Sequence, residues 1–269
     1  MTKQPQPLSK KIPLIPARTK LLTTNILLVV IGFYIFSAYF TEAYPNRVIE
    51  GMPIVIDFIV KDLYPPNWGY VNKVLSSLIE TWNIALLSAS LSAIFALPLS
   101  FLAASNINNK KGFYSTVRFL LNILRTIPEL ILAVILVAFI GIGALAGVAA
   151  LFIFSLGILA KLISETIEAI DPNPLEAIRA TGGNIIQVIW YGVMPQILPH
   201  YVSYSLYVLE INVRASVVLG FVGAGGIGLI LKHQLALFNF GNVSTIVIMT
   251  FIAVTIIDFV SNRVRERLV

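Results

Sequence analysis

Residues 84–104 read IALLSASLSAIFALPLSFLAA, and none of these 21 residues is charged. A helix needs about 20 consecutive apolar residues to cross the hydrocarbon core of a bilayer. The many Ser and Ala residues favour close packing of this helix against another one in lipid, and Pro98 favours a kink. We therefore predict that this segment is a membrane-spanning α-helix.

The rest of the chain has the same apolar character. Of its 269 residues, 57% are hydrophobic and 12% are charged, whereas a soluble domain averages about 25% charged residues. The apolar segments are continuous rather than alternating, which favours helices over a transmembrane β-barrel. The sequence therefore predicts an all-α, polytopic membrane protein.

Two spans are predicted within residues 130–160, which carry no charge over 31 positions. One helix of that length would be about 46 Å long, and the hydrocarbon core is only about 30 Å thick. Gly141, Gly143 and Gly147 favour a turn that separates the two. In all, we predict six spans, at about residues 21–40, 82–104, 119–140, 146–164, 201–222 and 242–260.

The basic residues predict the orientation of these spans. Of the 19 Lys and Arg residues, 14 lie in segments that six spans would place on the same side as both termini. The positive-inside rule then predicts that both termini are cytoplasmic. Residues 1–20 are predicted to be a basic tail before a retained first span. Residues 41–76 are predicted to be an external loop with a short interfacial helix near 54–60, and residues 261–269 a cytoplasmic tail.

Several classes of function are disfavoured by composition. The chain has no cysteine, which excludes disulfides, thiolate metal sites and a cysteine nucleophile. His200 and His233 have no metal-ligand spacing, and no Ser/His/Asp set or carboxylate pair indicates an enzyme, so neither a metal nor a cofactor is predicted. The net charge of +6 comes from residues that flank the spans, which indicates membrane topology rather than nucleic-acid binding.

A polar segment interrupts the apolar chain at residues 165–199, on the predicted cytoplasmic side. Within DPNPLEAIRATGG, residues 171–183, Asn173 is suited to cap a helix, with Pro174 at its first position and Glu176 three residues after the cap. Gly182 and Gly183 allow the left-handed turn that ends such a helix. A short capped helix is therefore predicted here.

A second short helix is predicted to start after Asn184 and to run to Met194, where Pro195 interrupts it. The segment would then be two helices joined by a glycine elbow. Two interpretations remain open. It is either an ordinary interfacial loop or a rigid docking element for a soluble partner.

The spacing of this segment resembles the EAA loop of ABC-transporter permeases. Glu176 and Ala177 are followed by Gly182 six residues after the Glu, and by Pro195 thirteen residues after the Gly. The sequence departs from the pattern in having Ile178 in place of the second Ala, and Gly192 and Met194 in place of Ile and Leu. The resemblance implies that the loop docks on a separate ATPase subunit. Its implied coupling residues are Glu176, Ala177, Gly182, Gly183 and Pro195.

Three segments together resemble the permease subunit of phosphonate-type ABC importers, over roughly residues 77–260. They are RTIPEL at 125–130, the EAIRATGG segment, and EINVR at 210–214 followed by VLGFVGAGGIG at 218–228. The resemblance implies a type I ABC importer permease fold in the bacterial inner membrane, a homodimer, a pair of ATPase subunits and a soluble substrate-binding protein. It implies phosphonate, phosphite or phosphate as substrate.

No G-x-x-x-x-G-K-[ST] motif occurs in the chain, so ATP hydrolysis is expected on a partner. Residues 223–228, GAGGIG, match the dinucleotide pattern G-x-G-x-x-G. However, an apolar helix precedes them, and the next acidic residue is Asp258. We expect instead a helix break or a tight crossing of backbones near the external end of the fifth span.

Charged residues within the spans are the candidates for a translocation pathway or gate. Glu210 and Arg214 are four residues apart and either pair with each other or leave Arg214 to guide an anion, with Asn212 nearby. Arg125 and Glu129 have the same spacing around Pro128 and either snorkel or form an inner gate. For Lys161, Glu165 and Glu168, a solvated helix end is expected.

Other classes of protein remain as alternatives. A permease for another small solute, such as methionine, would share the architecture, although such permeases are typically shorter, with five spans. An ion-coupled secondary carrier would favour internal repeats, and none is evident. An intramembrane enzyme would need a catalytic set of residues.

Overall fold

The computed structural model describes residues 17–108 and 110–267. The chain divides into two compact units, Met1–Lys61 and Asp62–Val269. In the first unit, α1 (Ala17–Phe40) has the length and composition of a membrane span, as predicted. It is followed by α2 (Pro45–Phe58), which is longer than the predicted interfacial helix because Pro45 suits a first helical turn. Residues 1–16 of the predicted basic tail lie outside the described residues.

The second unit is a bundle of helices. They are α3 (Val71–Ala103), α4 (Lys111–Thr126), α5 (Glu129–Ile140), α6 (Ala144–Ala169), α7 (Asn173–Ala180), α8 (Ile185–Gln187), α9 (Met194–Leu219), α10 (Gly226–Ala236) and α11 (Phe240–Arg265). In the described part of the chain, five helical stretches are long and apolar enough to cross a membrane, and α4 with α5 would make a sixth. The predicted all-α membrane fold is confirmed.

The predicted span at 119–140 is wrong as a single helix. It is divided into α4 and α5, whose axes differ by 87°. The break lies at Ile127, whose backbone is extended (φ −81°, ψ 119°), and at Pro128. Proline lacks an amide hydrogen and disfavours helical geometry in the residue before it. The apolar run of the sequence conceals this break because both sides of it are hydrophobic.

The predicted start of the second span, near residue 82, is also wrong, because α3 begins at Val71. Lys73 and Glu80 lower the hydropathy of its first turns, yet Val74 and Thr81 are buried. Tertiary packing rather than hydropathy therefore sets the start of this helix.

The predicted small-residue packing is confirmed where α3 contacts α6. The Ser88 hydroxyl lies 3.2 Å from the carbonyl of Val148, and the Ser92 hydroxyl lies 3.0 Å from the carbonyl of Phe152. Both serines are fully buried. Small side chains let two helix backbones approach closely in lipid, where no hydrophobic effect drives them together.

Glycines allow a turn and a close backbone crossing in the bundle. Gly141 (φ +101°) and Gly143 (φ +145°) separate α5 from α6, as predicted, but Gly147, the third glycine predicted for this turn, lies within α6. Gly220 and Gly228 lie where the end of α9 crosses α10, and a Cβ on Gly228 would lie 1.9 Å from the carbonyl oxygen of Val217. The GAGGIG segment is thus a backbone crossing. The helix that follows it, α10, was not predicted.

Candidate functional site

The polar segment at 171–183 forms a short helix and a glycine turn. The helix, α7, begins at Asn173, and the Asp171 side chain accepts a hydrogen bond of 3.0 Å from the Asn173 amide. The prediction that Asn173 caps the helix is therefore wrong. The N-cap is Pro172, which has no side-chain acceptor, and Asp171 just before it accepts from the first helical amide instead.

The glycine elbow has the hydrogen bonds of a Schellman turn. Gly182 has a φ of +82°, and its amide donates to the carbonyl of Arg179 at 3.0 Å. The amide of Gly183 donates to the carbonyl of Ile178 at 2.9 Å. A Cβ on Gly183 would lie 2.8 Å from that carbonyl oxygen. Both glycines are required, the first for its left-handed backbone and the second for the close approach.

The second helix starts as predicted but does not end at Pro195. Asn184 and Gln187 form a reciprocal capping box, with bonds of 2.8 and 2.9 Å. The chain then continues through a π-helical stretch at Val188–Val193 into α9. Pro195 lies in the first turn of α9, where a missing amide hydrogen costs little. The predicted interruption at Pro195 is therefore wrong.

Two departures from the EAA pattern face each other across the elbow. A Cβ on Gly192 would lie 3.2 Å from Cδ1 of Ile178 and 3.4 Å from Cδ1 of Leu175. The pattern has a small residue at 178 and a large one at 192, and this chain has the reverse. The exchange keeps the total side-chain volume similar, which cores tolerate well. The departures are therefore compatible with the same packing.

The elbow leaves its motif residues accessible. Glu176, Ala177, Gly182 and Pro195 are exposed, and Gly183 is half-buried. Beside them lies a groove of about 290 Å³, lined by Ile178, Thr181, Gly182, Gly183, Gln187 and Tyr191. Leu175 of α7 is buried and packs in the hydrophobic core of the bundle. The arrangement presents a rigid, well-capped surface at one end of the bundle.

Glu168 is not at a solvated helix end, contrary to expectation. Its carboxylate pairs with Arg118 of α4 and accepts bonds from the Ser105 amide at 2.7 Å and the Ser105 hydroxyl at 2.5 Å. The neighbouring Asn106 carbonyl accepts a bond of 3.3 Å from Arg179 of α7. The loop between α3 and α4 thus connects α4, α6 and the elbow helix. Glu168 and Ser105 lie 63 residues apart in the chain, and Arg179 and Asn106 lie 73 apart, so the sequence alone could not show that they meet.

Replacing Glu168 by Gln is expected to lower the free energy of unfolding by about 2 kcal/mol, since hydrogen bonds to charged groups contribute roughly 1.5–3 kcal/mol. The matched control is Glu165→Gln on the same helix. Glu165 pairs with Lys161 at 3.0 Å but is 53% exposed, so its loss should cost less than about 1 kcal/mol. Unfolding of the detergent-solubilised protein compares the two variants. Equal shifts would contradict the structural role of Glu168.

Glu210 and Arg214 form an ion pair, which was one of the two interpretations of the sequence. The pair is part of a larger network of charged residues. Glu210 contacts Arg214 at 2.7 Å and Arg265 at 2.5 Å, and Arg214 also contacts Asp258 at 2.5 Å. Asp258 and Arg265 lie on α11 and were missed by sequence analysis. Asp258 lies in the predicted sixth span, where charged residues are rare, but that gave no indication of which helix it faces. Arg265 was predicted to lie in the tail at 261–269, whereas α11 extends to Arg265.

The structure does not bring the other pathway candidates to this network. Asn212 is fully buried and accepts a hydrogen bond of 2.7 Å from Ser155 of α6. Arg125 is exposed and Glu129 half-buried, and within the described residues they form no ion pair. The helix break at Pro128 removes the i, i+4 helical geometry between them.

Comparison with known proteins shows similarity to membrane permeases. Residues 96–269 match the family described as binding-protein-dependent transport system inner membrane component. A phosphate-import permease protein of Mycolicibacterium smegmatis is 38% identical over 208 residues, which cover 77% of this chain but only 39% of that relative. A phosphite transport system permease protein of Stutzerimonas stutzeri is 35% identical over 82% of this chain and 80% of the relative.

The fold comparison agrees with the sequence comparison. The inward-facing methionine ABC transporter MetNI contains a chain that superposes with a TM-score of 0.67 at 25% identity, covering 76% of this chain and 99% of that one. The predicted type I ABC importer permease fold is therefore confirmed. Together, the matched residues, the relatives and the fold show that this chain belongs to the family of binding-protein-dependent transport system inner membrane components.

Proposed function

We propose that this chain is the membrane-spanning permease subunit of an ATP-driven importer of phosphonate or a related phosphorus oxyanion, such as phosphite or phosphate. The observation that carries the proposal is the exposed glycine elbow at 171–195, which combines the spacing of the EAA loop with a rigid geometry. The substrate class is supported by the phosphate and phosphite importers to which the chain is similar.

The elbow is proposed to dock on an ATPase subunit, since the chain has no P-loop of its own. Glu176, Ala177, Gly182, Gly183 and Pro195 would form the coupling surface. One chain supplies one elbow, so a homodimer would present two elbows to a pair of ATPase subunits. A soluble binding protein would deliver substrate at the other end of the bundle. Both termini would be cytoplasmic, as the distribution of Lys and Arg predicts.

In this mechanism, closure of the ATPase pair around ATP draws the two elbows together. Because α7 is bonded to the loop between α3 and α4 through Arg179, and the second helix is continuous with α9, the motion would reach the spans directly. Arg125, Pro128 and Glu129 lie at the corner between α4 and α5. They remain candidates for a gate there.

Uptake by proteoliposomes tests the proposal. The vesicles would contain this chain, its ATPase and its binding protein, and the solute would be labelled 2-aminoethylphosphonate. We expect uptake only when ATP is present, and competition by phosphite or phosphate but not by methionine. Competition by methionine would overturn the proposed substrate class. Uptake that needs no ATP but depends on an ion gradient would indicate a secondary carrier.

A further inference from the structure

The four charges between α9 and α11 differ sharply in their exposure. The side chain of Arg214 is 50% exposed, whereas Glu210 is 13%, Arg265 is 27% and Asp258 is 29% exposed. The two carboxylates and two guanidinium groups balance in charge. Glu210 is therefore mostly buried, Asp258 and Arg265 are half-buried, and Arg214 is the most exposed of the four.

Arg214 contacts α11 through Asp258, but much of its side of α9 is exposed in the described bundle. The neighbouring Val213 and Ser216 are buried, and Asn212 bonds to α6. Other residues at helical spacing from Arg214 share its face and are exposed. Tyr207 is 43% exposed, Val218 is 46% and Phe221 is 37%. Ionisable residues within spans usually face the bundle interior or a water-filled cavity, or pair with one another. Arg214 is paired and is still half exposed.

The depth of the network is set by α11. Residues 240–257 carry no charge, and 18 helical residues rise about 27 Å, close to one hydrocarbon thickness. Asp258 follows directly, and Arg265 ends the helix. The network therefore lies at the end of the charge-free run. With the orientation proposed above, this is the inner end of the spans.

The hydrogen bonds within the network are incomplete. Arg214 uses only Nη2 for both of its carboxylate partners, so in the described part of the chain its Nη1 and Nε make no hydrogen bond. Asp258 accepts through Oδ2, while its buried Oδ1 has no partner. A guanidinium group can bind a carboxylate or phosphate through two parallel bonds. The pair is thus held by one bond where its chemistry allows two.

We propose that Arg214 is an oxyanion contact at the inner mouth of the translocation route, and that Asp258 is a positioning residue that competes with the oxyanion for Arg214. This inference rests on the proposed function. An arriving phosphorus oxyanion would engage the free edge of the guanidinium. Asp258 would then pair with Arg214 again and displace the oxyanion. This competition keeps the oxyanion from binding too tightly to be released.

A single introduced cysteine tests whether this face is aqueous, since the chain has none of its own. Val218→Cys lies one turn from Arg214 and leaves the network intact. A negatively charged, membrane-impermeant thiol reagent is expected to modify it, and phosphate on the same side should slow the reaction. The control is Phe259→Cys on α11, which is 71% exposed and, if it faces lipid, should not react. An unreactive Val218→Cys would overturn the inference.

A lysine at position 214 separates a binding role from a structural one. Arg214→Lys keeps a positive charge beside both Glu210 and Asp258 but lacks the planar fork that binds an oxyanion through two bonds. Uptake is expected to fall at least about tenfold, the loss of roughly one charge-assisted hydrogen bond. Uptake at the wild-type rate would show that Arg214 serves only as a structural charge. If wild type itself takes up no oxyanion, the proposed function fails instead.

Asp258→Asn provides a second test if Arg214→Lys does not assemble. It frees Arg214, so phosphate on the inner side should inhibit uptake at a concentration about tenfold lower than for wild type. Glu266→Gln is the matched control, because it breaks an exposed pair with Arg263 on the same helix and should leave inhibition unchanged. Equal inhibition of Asp258→Asn and wild type would overturn the proposal.

Discussion

Gly228→Ala is expected to leave almost no folded protein in the membrane. The new Cβ would lie 1.9 Å from the carbonyl oxygen of Val217 and 2.9 Å from Cα of Gly220. Both neighbours are backbone atoms, so no side-chain rotation can relieve the contact. Overpacking at well-packed sites costs about 1–3 kcal/mol and more where the backbone must move. We therefore expect a loss above about 3 kcal/mol, enough to unfold a marginally stable protein.

The matched control for Gly228→Ala is Gly112→Ala. Gly112 lies in α4, and a Cβ there would meet no atom within 4 Å. Alanine favours a helix over glycine by about 0.5–1 kcal/mol, so this variant should be as stable as wild type or more so. Both would be compared by the yield of monodisperse protein after detergent extraction. A normal yield of Gly228→Ala would show that α9 and α10 can separate at this crossing.

Gly182→Val is expected to abolish coupled uptake while leaving the spans folded. At a φ of +82°, a side chain meets its own backbone, although no other atom lies within 4 Å. A non-glycine residue in this region costs about 1–3 kcal/mol, and a β-branched residue lies at the upper end. A penalty of roughly 2 kcal/mol would depopulate the elbow more than tenfold. ATP-driven uptake should fall accordingly, and the yield of inserted protein should not.

Gly182→Asn is the control that isolates backbone conformation at this position. Asn enters the left-handed region more readily than other non-glycine residues, so it adds a polar side chain of moderate size with less strain. It should retain most of the uptake. If Gly182→Asn loses as much uptake as Gly182→Val, the size of the side chain at the docking surface matters rather than the turn.

Local chemistry allowed much of this site to be predicted. The left-handed Gly182 and the helix start at Asn184 follow from glycine freedom and from capping, which involve residues only a few positions apart. Asn173 failed as the cap because it is the first residue of the helix, and Pro172 before it is the N-cap. Capping patterns in a sequence locate a helix start only to within a residue or two.

Longer-range features of the site could not be predicted in this way. Glu168 meets Ser105, 63 residues away in the chain, and Arg214 meets Asp258, 44 residues away. Many pairings of opposite charges satisfy the same composition. Which one forms depends on helix rotation and depth in the bundle, and neither is encoded in the spacing of a single helix.

The sequence by itself determined the class of the protein. Its apolar composition requires spanning helices, because a backbone in lipid must satisfy its own hydrogen bonds, and the spacing from Glu176 to Pro195 located the elbow. The tertiary structure alone decided the sharp corner at Pro128, the early start of α3, the crossing at Gly228 and the network around Arg214. Each of these depends on contacts between helices distant in the chain, and in lipid those contacts come from close packing and hydrogen bonds rather than hydropathy.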